Sequence, residues 1–286
     1  MKKFSDRVAV VTGAASGIGR CLALQLAERG CILALADMDM EGLKATGDSV
    51  SEYGGKYSLH DLDVSDREAM EEFADTVVST HGGVHLLFNN AGVTAIDHID
   101  TMDYANFEWV MNINFWGVVY GTKAFLPHLK KSDEAHITNI SSLFGLLAVP
   151  SQGAYNASKF AVRGFTEALK MELADTRVGV SSVHPGGIKT SIVQNARVAE
   201  GSMAVTKKEI GSQFDSLAKT TADKAASVIL NGIEKNRRRI LVGWDAKILD
   251  FIVRLFPASY EYIARLEKPL VAKVKAEALA QEQPGN

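Results

Sequence analysis

The amino-acid sequence predicts an α/β chain: a doubly wound parallel sheet of about seven strands with helices on both faces. Two observations carry this. Short, β-rich apolar runs alternate with helical patterns from the first residues to the last third of the chain, the order of elements that builds a parallel sheet. The first run leads at once into a glycine-rich turn and a helix, a connection that open α/β sheets use at their ligand-binding edge. No Pro/Gly/Ser-rich linker and no internal repeat divides the 286 residues, so positions 1–286 are expected to form a single domain.

Element by element, Val8 to Val11 reads as a buried strand and Ile18 to Arg29 as a helix stopped by Gly30. Ile32 to Ala36 is a second strand, and Leu43 to Tyr53 a helix closed by Gly54 and Gly55. A third strand ends near Asp63. Ser65 then reads as an N-cap, with Glu68 three residues later completing a capping box. Leu86 to Asn89, His136 to Ser141, Val178 to His184 and Arg239 to Val242 supply four more strands. Between them lie helices over Phe107 to Leu129, Ala154 to Asp175 and Ala222 to Asn236. Two segments stand outside the alternation. Positions 188–221 form a long stretch of small and polar residues and are expected to act as a substrate lid. Positions 245–286 form a C-terminal extension, amphipathic through Ile248, Phe251, Ile252 and Leu255, interrupted at Pro257 and then resuming. Its own domain, a neighbouring subunit or a membrane surface are all open as its partner, the first two ahead of the third.

Composition narrows the function. Hydrophobic residues make up 47% and charged residues 23%, the balance of an ordinary globular protein. A net charge of -3 gives no electrostatic case for nucleic acid. The basic run Lys235, Arg237, Arg238, Arg239 reads as a solvated helix end before a strand. Cys21 and Cys31 are too few for a disulfide framework and lack metal-ligand spacing, so no metal is expected. Met1 to Arg7 shows no secretory pattern, which makes the cytoplasm the expected address. The most apolar stretch, Trp109 to Tyr120, contains Asn112 and Asn114 and falls short of the about 20 residues a bilayer span needs, so no transmembrane segment is expected.

Thr12-Gly13-Ala14-Ala15-Ser16-Gly17-Ile18-Gly19 joins the first strand to the first helix. Glycines there permit a tight turn, let backbone N–H groups approach a pyrophosphate, and leave that anion at a helix N-terminus. The spacing is not the usual G-x-G-x-x-G, and a ligand-free glycine turn is the bland alternative. Asp37 tips the balance. It ends the second strand, close to the roughly 20-residue offset of an acid that binds the adenosine ribose in a Rossmann-like fold. An acid hydrogen-bonds a 2′-OH and repels a 2′-phosphate, and Met38 stands where an NADP site favours Arg. NAD is therefore expected over NADP, with Arg20 and Lys44 as the residues that keep NADP open.

Tyr155 and Lys159 lie four apart at the start of a helical pattern, so both project from one face. A phenol with a pKa of about 10 is a poor base at neutral pH, and a nearby ammonium favours its phenolate. Ser141 and Ser142 end the fifth strand at the carboxyl edge of the sheet, where a hydroxyl can hold a substrate oxygen beside Tyr155. Each feature alone has a bland reading. Their joint occurrence in this order does not.

With these residues in hand, the sequence resembles the short-chain dehydrogenase/reductase superfamily, in its shorter single-domain group. The matching motifs run from Val8 to about Thr190: Thr12 to Gly19, Asp37, Asp63-Val64, Asn89-Asn90-Ala91-Gly92, Asn114, Ser142, Tyr155, Lys159 and Pro185-Gly186. The resemblance implies that Gly13, Ser16, Gly17, Ile18 and Gly19 hold the pyrophosphate. It places Asp63 and Val64 at the adenine and Asn90, Ala91 and Gly92 beside the cofactor. Ser142 would orient the substrate oxygen, Tyr155 exchange the proton, and Lys159 bind the nicotinamide ribose and lower the tyrosine pKa. Asn114, followed by Gly117, would hold a proton-relay water, while Pro185, Gly186, Ile188 and Thr190 would fix the carboxamide. Gly145 follows Ser142 at the family spacing, which selects Ser142 over Ser141.

The expected activity is interconversion of a secondary alcohol and a ketone by hydride transfer with a nicotinamide cofactor. Leu143, Phe144, Leu146, Leu147, Val149, Ile192 and Val193 are expected around a hydrophobic substrate. A nucleotide-sugar epimerase or dehydratase also uses Tyr and Lys four apart, but the Ser16-Gly17-Ile18-Gly19 turn and the lack of a substantial C-terminal substrate domain speak against it. A non-catalytic NAD-binding protein would be expected to lack Tyr155, Lys159 or Ser142. A homotetramer or homodimer built on the Phe107 and Ala154 helices is expected from the resemblance. His136 and His184 match no catalytic role and read as structural.

Overall fold

A computed structural model of the chain describes residues 3–190, 192, 194–198 and 219–260. Positions 199–218 of the expected lid, Val193 of the expected pocket, and the extension beyond residue 260 lie outside the described residues.

The chain begins β1 (Val8–Thr12), α1 (Gly17–Glu28), β2 (Ile32–Asp37), α2 (Met40–Glu52), β3 (Tyr57–Asp61), α3 (Arg67–His81) and β4 (Leu86–Asn89). A two-residue strand β5 (Ala95–Ile96) follows, then α4 (Tyr104–Met111), a π-helical turn (Asn112–Trp116), α5 (Gly117–Leu129) and β6 (Ala135–Ile140). After a 3₁₀ turn (Leu143–Gly145) come α6 (Gly153–Glu172), β7 (Val178–Pro185), and the short strands β8 (Ile188–Lys189), β9 (Arg197–Val198) and β10 (Thr220–Thr221). The last described elements are α7 (Ala222–Glu234), β11 (Arg239–Val242) and α8 (Trp244–Leu255).

Seven strands form one sheet in the order β11-β7-β6-β4-β1-β2-β3, and every neighbouring pair is parallel. Parallel strands buried on both faces need continuous apolar runs, and β1 and β4 are buried at every residue. One face packs Leu22, Leu26, Leu43, Val50, Ile229 and Ile233 from α1, α2 and α7. The other packs Met70, Phe73, Val77, Phe125, Leu129 and Leu169 from α3, α5 and α6. The strand order reverses between β1 and β4, which opens a crevice at their carboxyl ends. The Gly13–Gly19 turn follows β1 and Asn90–Gly92 follow β4 at that crevice.

Two local expectations need correction. The cap of α3 is Asp66, whose Oδ1 accepts from the backbone N–H of Glu68 (2.9 Å) and Ala69 (3.1 Å). Ser65 is drawn back instead: its backbone N–H and its hydroxyl both donate to Asp63 Oδ1. A carboxylate one residue closer to the helix is the stronger acceptor for the free N–H groups. The helix expected over Phe107 to Leu129 is also interrupted by the π turn. There Asn114 turns fully inward, its Oδ1 accepting from Val93 N (2.8 Å) and its Nδ2 donating to Val93 O (2.9 Å) and Ser158 Oγ (3.0 Å). A long-range amide clamp of this kind is invisible to local periodicity.

The ends of the expected lid are tied down. β8 pairs with β10, and β9 pairs with β5. Among the described residues, no helix is long and apolar enough to cross a membrane.

Candidate active site

The turn after β1 is a tight backbone cradle. Gly13 and Gly17 have φ of +66° and +54°, the left-handed region that glycine enters at little steric cost. A Cβ on Gly13 would lie 2.8 Å from Ala91 Cα, and one on Gly19 would collide with the Gly13 carbonyl. Asn90 holds the turn closed by donating from Nδ2 to Thr12 O (2.9 Å) and Gly13 O (3.1 Å). Thr12 Oγ1 accepts from the backbone N–H groups of Asn90 and Ala91. The side chain of Asn90, expected beside a cofactor, is therefore engaged by the turn itself. Ser16 precedes α1, is exposed and makes no side-chain cap bond, while Ile18 packs on the core.

Asp37 stands at the end of β2 facing that cradle, its carboxylate accepting from Ala15 N and Asp39 N, both at 3.0 Å. Val64 is buried against the Gly117 backbone. Thr190 lies on the opposite side of the turn, its methyl 3.2 Å from where a Cβ on Gly17 would be. Ile188 is buried, and Gly186 N, just past Pro185, donates to Val242 O. A nicotinamide dinucleotide fits this arrangement: an open glycine cradle at a helix N-terminus, and an acid at the neighbouring strand end.

The catalytic candidates meet where α6 crosses the ends of β4 and β6. Lys159 is 3% exposed; its Nζ donates to Ile140 O at 3.1 Å and lies 5.5 Å from the centre of the Tyr155 ring. A Cβ on Gly92 would sit 3.3 Å from that Nζ and 3.2 Å from Asn114 Oδ1, so the 90–92 segment runs directly past the lysine. Ser141 is excluded from this group, since its hydroxyl donates to the Lys159 carbonyl (2.8 Å). The Ser142 hydroxyl accepts from Phe144 N and interacts with the Tyr155 hydroxyl. Phe144 meets Tyr155 edge-on, ring centres 6.2 Å apart.

Burial moves both titrating groups toward their neutral forms. It lowers the Lys159 ammonium to about 8 and raises the Tyr155 phenol, with the Ser142 hydroxyl pulling the other way. The expected net acidification of Tyr155 by Lys159 is thus not met by the chain alone: desolvation of a phenolate dominates.

A short chain dehydrogenase family profile matches residues 7–201. The chain belongs to the short-chain dehydrogenase/reductase family. It is 48% identical over 264 residues to the SadH protein of Mycobacterium tuberculosis, spanning 91% of this chain and 95% of that one. It is 33% identical to the cyclohexanol dehydrogenase of an Acinetobacter species, over 69% of this chain and 79% of the relative. Among solved structures, a short-chain dehydrogenase/reductase from Burkholderia phymatum in complex with NAD superposes with a TM-score of 0.81. That match is 32% identical and covers 89% of this chain and 96% of that one.

Within this short-chain dehydrogenase/reductase, several supporting residues escaped the sequence reading. Ser158 receives Asn114 and itself donates to Tyr155 O (2.8 Å). Asn156 donates to Phe144 O and Leu147 O and accepts from Val149 N, which fixes the loop after Ser142. Both sit beside motif residues but carry no local pattern of their own. His184, read as structural, donates from Nδ1 to Ser142 O (3.0 Å), and burial holds it near 4, hence neutral. Three of the expected pocket residues, Leu143, Leu146 and Leu147, are buried with Ala246 of α8 instead of lining open space. Only a contact across the sheet edge decides that.

Proposed function

We propose that this chain is an NAD-dependent alcohol dehydrogenase or ketoreductase that interconverts a hydrophobic secondary alcohol and its ketone. The observation that carries the reading is a buried ammonium 5.5 Å from the ring of Tyr155, beside the 90–92 segment that also packs on Gly13 of the glycine cradle. A bound nicotinamide dinucleotide would supply the hydride chemistry, while the residues of this chain position the substrate and manage its proton. Ser142 orients the substrate oxygen, and Tyr155 takes its proton in oxidation or returns it in reduction. Lys159 keeps its ammonium on the phenol side by hydrogen-bonding Ile140 O, and would hold the nicotinamide ribose. Asn114 ties Val93 to Ser158 of α6, and would hold the water that relays protons from Lys159.

Asp37 favours NAD, since a carboxylate at the end of β2 accepts from a ribose 2′-OH and carries like charge to a 2′-phosphate at that position. Gly13, Ser16, Gly17, Ile18 and Gly19 would take the pyrophosphate; Asp63 and Val64 would meet the adenine; Asn90, Ala91 and Gly92 would pass beside the cofactor; Pro185, Gly186, Ile188 and Thr190 would take the carboxamide. The apolar ring of Phe144 beside Tyr155, and the cyclohexanol relative, support a cyclic or otherwise bulky apolar substrate. Exposed Tyr104, Phe107, Trp116 and Phe160 support assembly through α4, the π turn and α6, as a homotetramer or homodimer.

Tyr155→Phe tests the reading. NADH binding, followed by fluorescence, stays within about twofold, while turnover of cyclohexanol falls by about 10²–10⁴-fold. A near-normal kcat refutes the proton role.

A further inference from the structure

β11 runs into α8 through Gly243, and Asp245 lies in the first turn of that helix. Asp245 Oδ2 accepts a hydrogen bond from Gly187 N at 2.6 Å. A Cβ on Gly186 or on Gly243 would collide with the same carboxylate, so the 185–187 turn is packed directly onto it. One residue back, Gly186 N donates to Val242 O at 2.9 Å. The turn that leaves β7 is therefore pinned from behind by residues 242–245, which lie outside the stretch matched by the family profile. The same helix buries Ala246, with Leu249 and Val253, against Leu143 and Leu147 of the loop after Ser142. One C-terminal helix thus braces both the 185–187 turn and the loop after Ser142.

We propose that Asp245 is a positioning residue for the nicotinamide half of the dinucleotide. The inference rests on the reading above that 185–190 receives the carboxamide. Gly186-Gly187 is the most permissive dipeptide a turn can contain, and ordering it at the moment of binding would oppose affinity. A carboxylate accepting a backbone N–H forms a charge-assisted bond, and its place at a helix N-terminus stabilises the negative charge. Asp245 fixes the turn before the cofactor arrives. The adenosine half, held by Asp37 and the glycine cradle at the other end of the crevice, gains nothing from it.

Calorimetric titration with NAD⁺ and, separately, with ADP-ribose tests this on the full chain, comparing wild type, Asp245→Ala and Asp245→Asn. ADP-ribose carries the adenosine and pyrophosphate but no nicotinamide, and its retained binding also reports that a variant is folded. Asp245→Ala weakens NAD⁺ about tenfold and leaves ADP-ribose within about twofold. Asp245→Asn keeps an acceptor oxygen and recovers NAD⁺ affinity to within about threefold of wild type. Equal weakening of both ligands, an unchanged NAD⁺ affinity in Asp245→Ala, or an Asn variant as impaired as Ala overturns the assignment. A wild-type chain that binds neither ligand removes the dinucleotide reading and the role of Asp245 with it.

Discussion

Replacing Lys159 by Met removes a cation from a site that disfavours charge, and the effect is readable in stability as well as in activity. Burial lowers Lys159 from 10.5 to about 8, and with 3% exposure there is little solvent to screen it. The difference corresponds to about 3.4 kcal/mol against the charged form in the folded state. Below pH 8 both folded and unfolded chains carry the proton and the whole penalty is present. Between 8 and 10.5 the folded protein has released the proton while the unfolded chain still binds it, so wild-type stability rises with pH across that window. Met carries no charge and feels none of this. Its advantage over wild type therefore shrinks by about 2.5 kcal/mol between pH 7 and pH 10. The lost hydrogen bond to Ile140 O enters at both pH values and largely cancels from the comparison. Urea denaturation of the two proteins at both pH values measures the change, and dehydrogenase activity of the Met variant is lost throughout. A stability difference that stays constant with pH, within about 0.5 kcal/mol, refutes the claim that a buried, depressed ammonium sits beside Tyr155.

Two further expectations bear on the cofactor cradle. Gly19→Ala places a Cβ into the Gly13 carbonyl and 2.6 Å from Asn90 Nδ2. The turn must open, so NADH affinity falls at least about 100-fold and stability by about 1–3 kcal/mol; tight NADH binding in this variant contradicts the cradle. Asp37→Ala weakens NAD about tenfold and NADP less than about threefold, measured as paired dissociation constants. Equal losses for both remove the basis for the cofactor choice.

Much of this molecule is legible in one dimension because its signals are local. β4 and β11 match their expected bounds, since a buried parallel strand is an apolar run cut off by turn residues. The glycine turn, Asp37, and the spacing of Tyr155 and Lys159 are read the same way, through the periodicities of strand and helix. What failed was also local in form. Ser65 has the right residue type for a cap, but Asp63 competes for its hydroxyl. The helix around Asn114 has an unbroken pattern, yet a distant partner, Val93, draws its amide inward.

By itself, the sequence determined the parallel architecture and the residue types gathered at its carboxyl edge, because both follow from short-range pattern and chain direction. Only the tertiary structure decided which way those groups titrate, that the Ser141 hydroxyl is engaged by the Lys159 carbonyl, and that a C-terminal carboxylate steadies the 185–187 turn. Burial and hydrogen-bond partnership depend on what other segments bring to the same place. Asp245 and Gly187 are far apart along the chain, and only folding makes them neighbours.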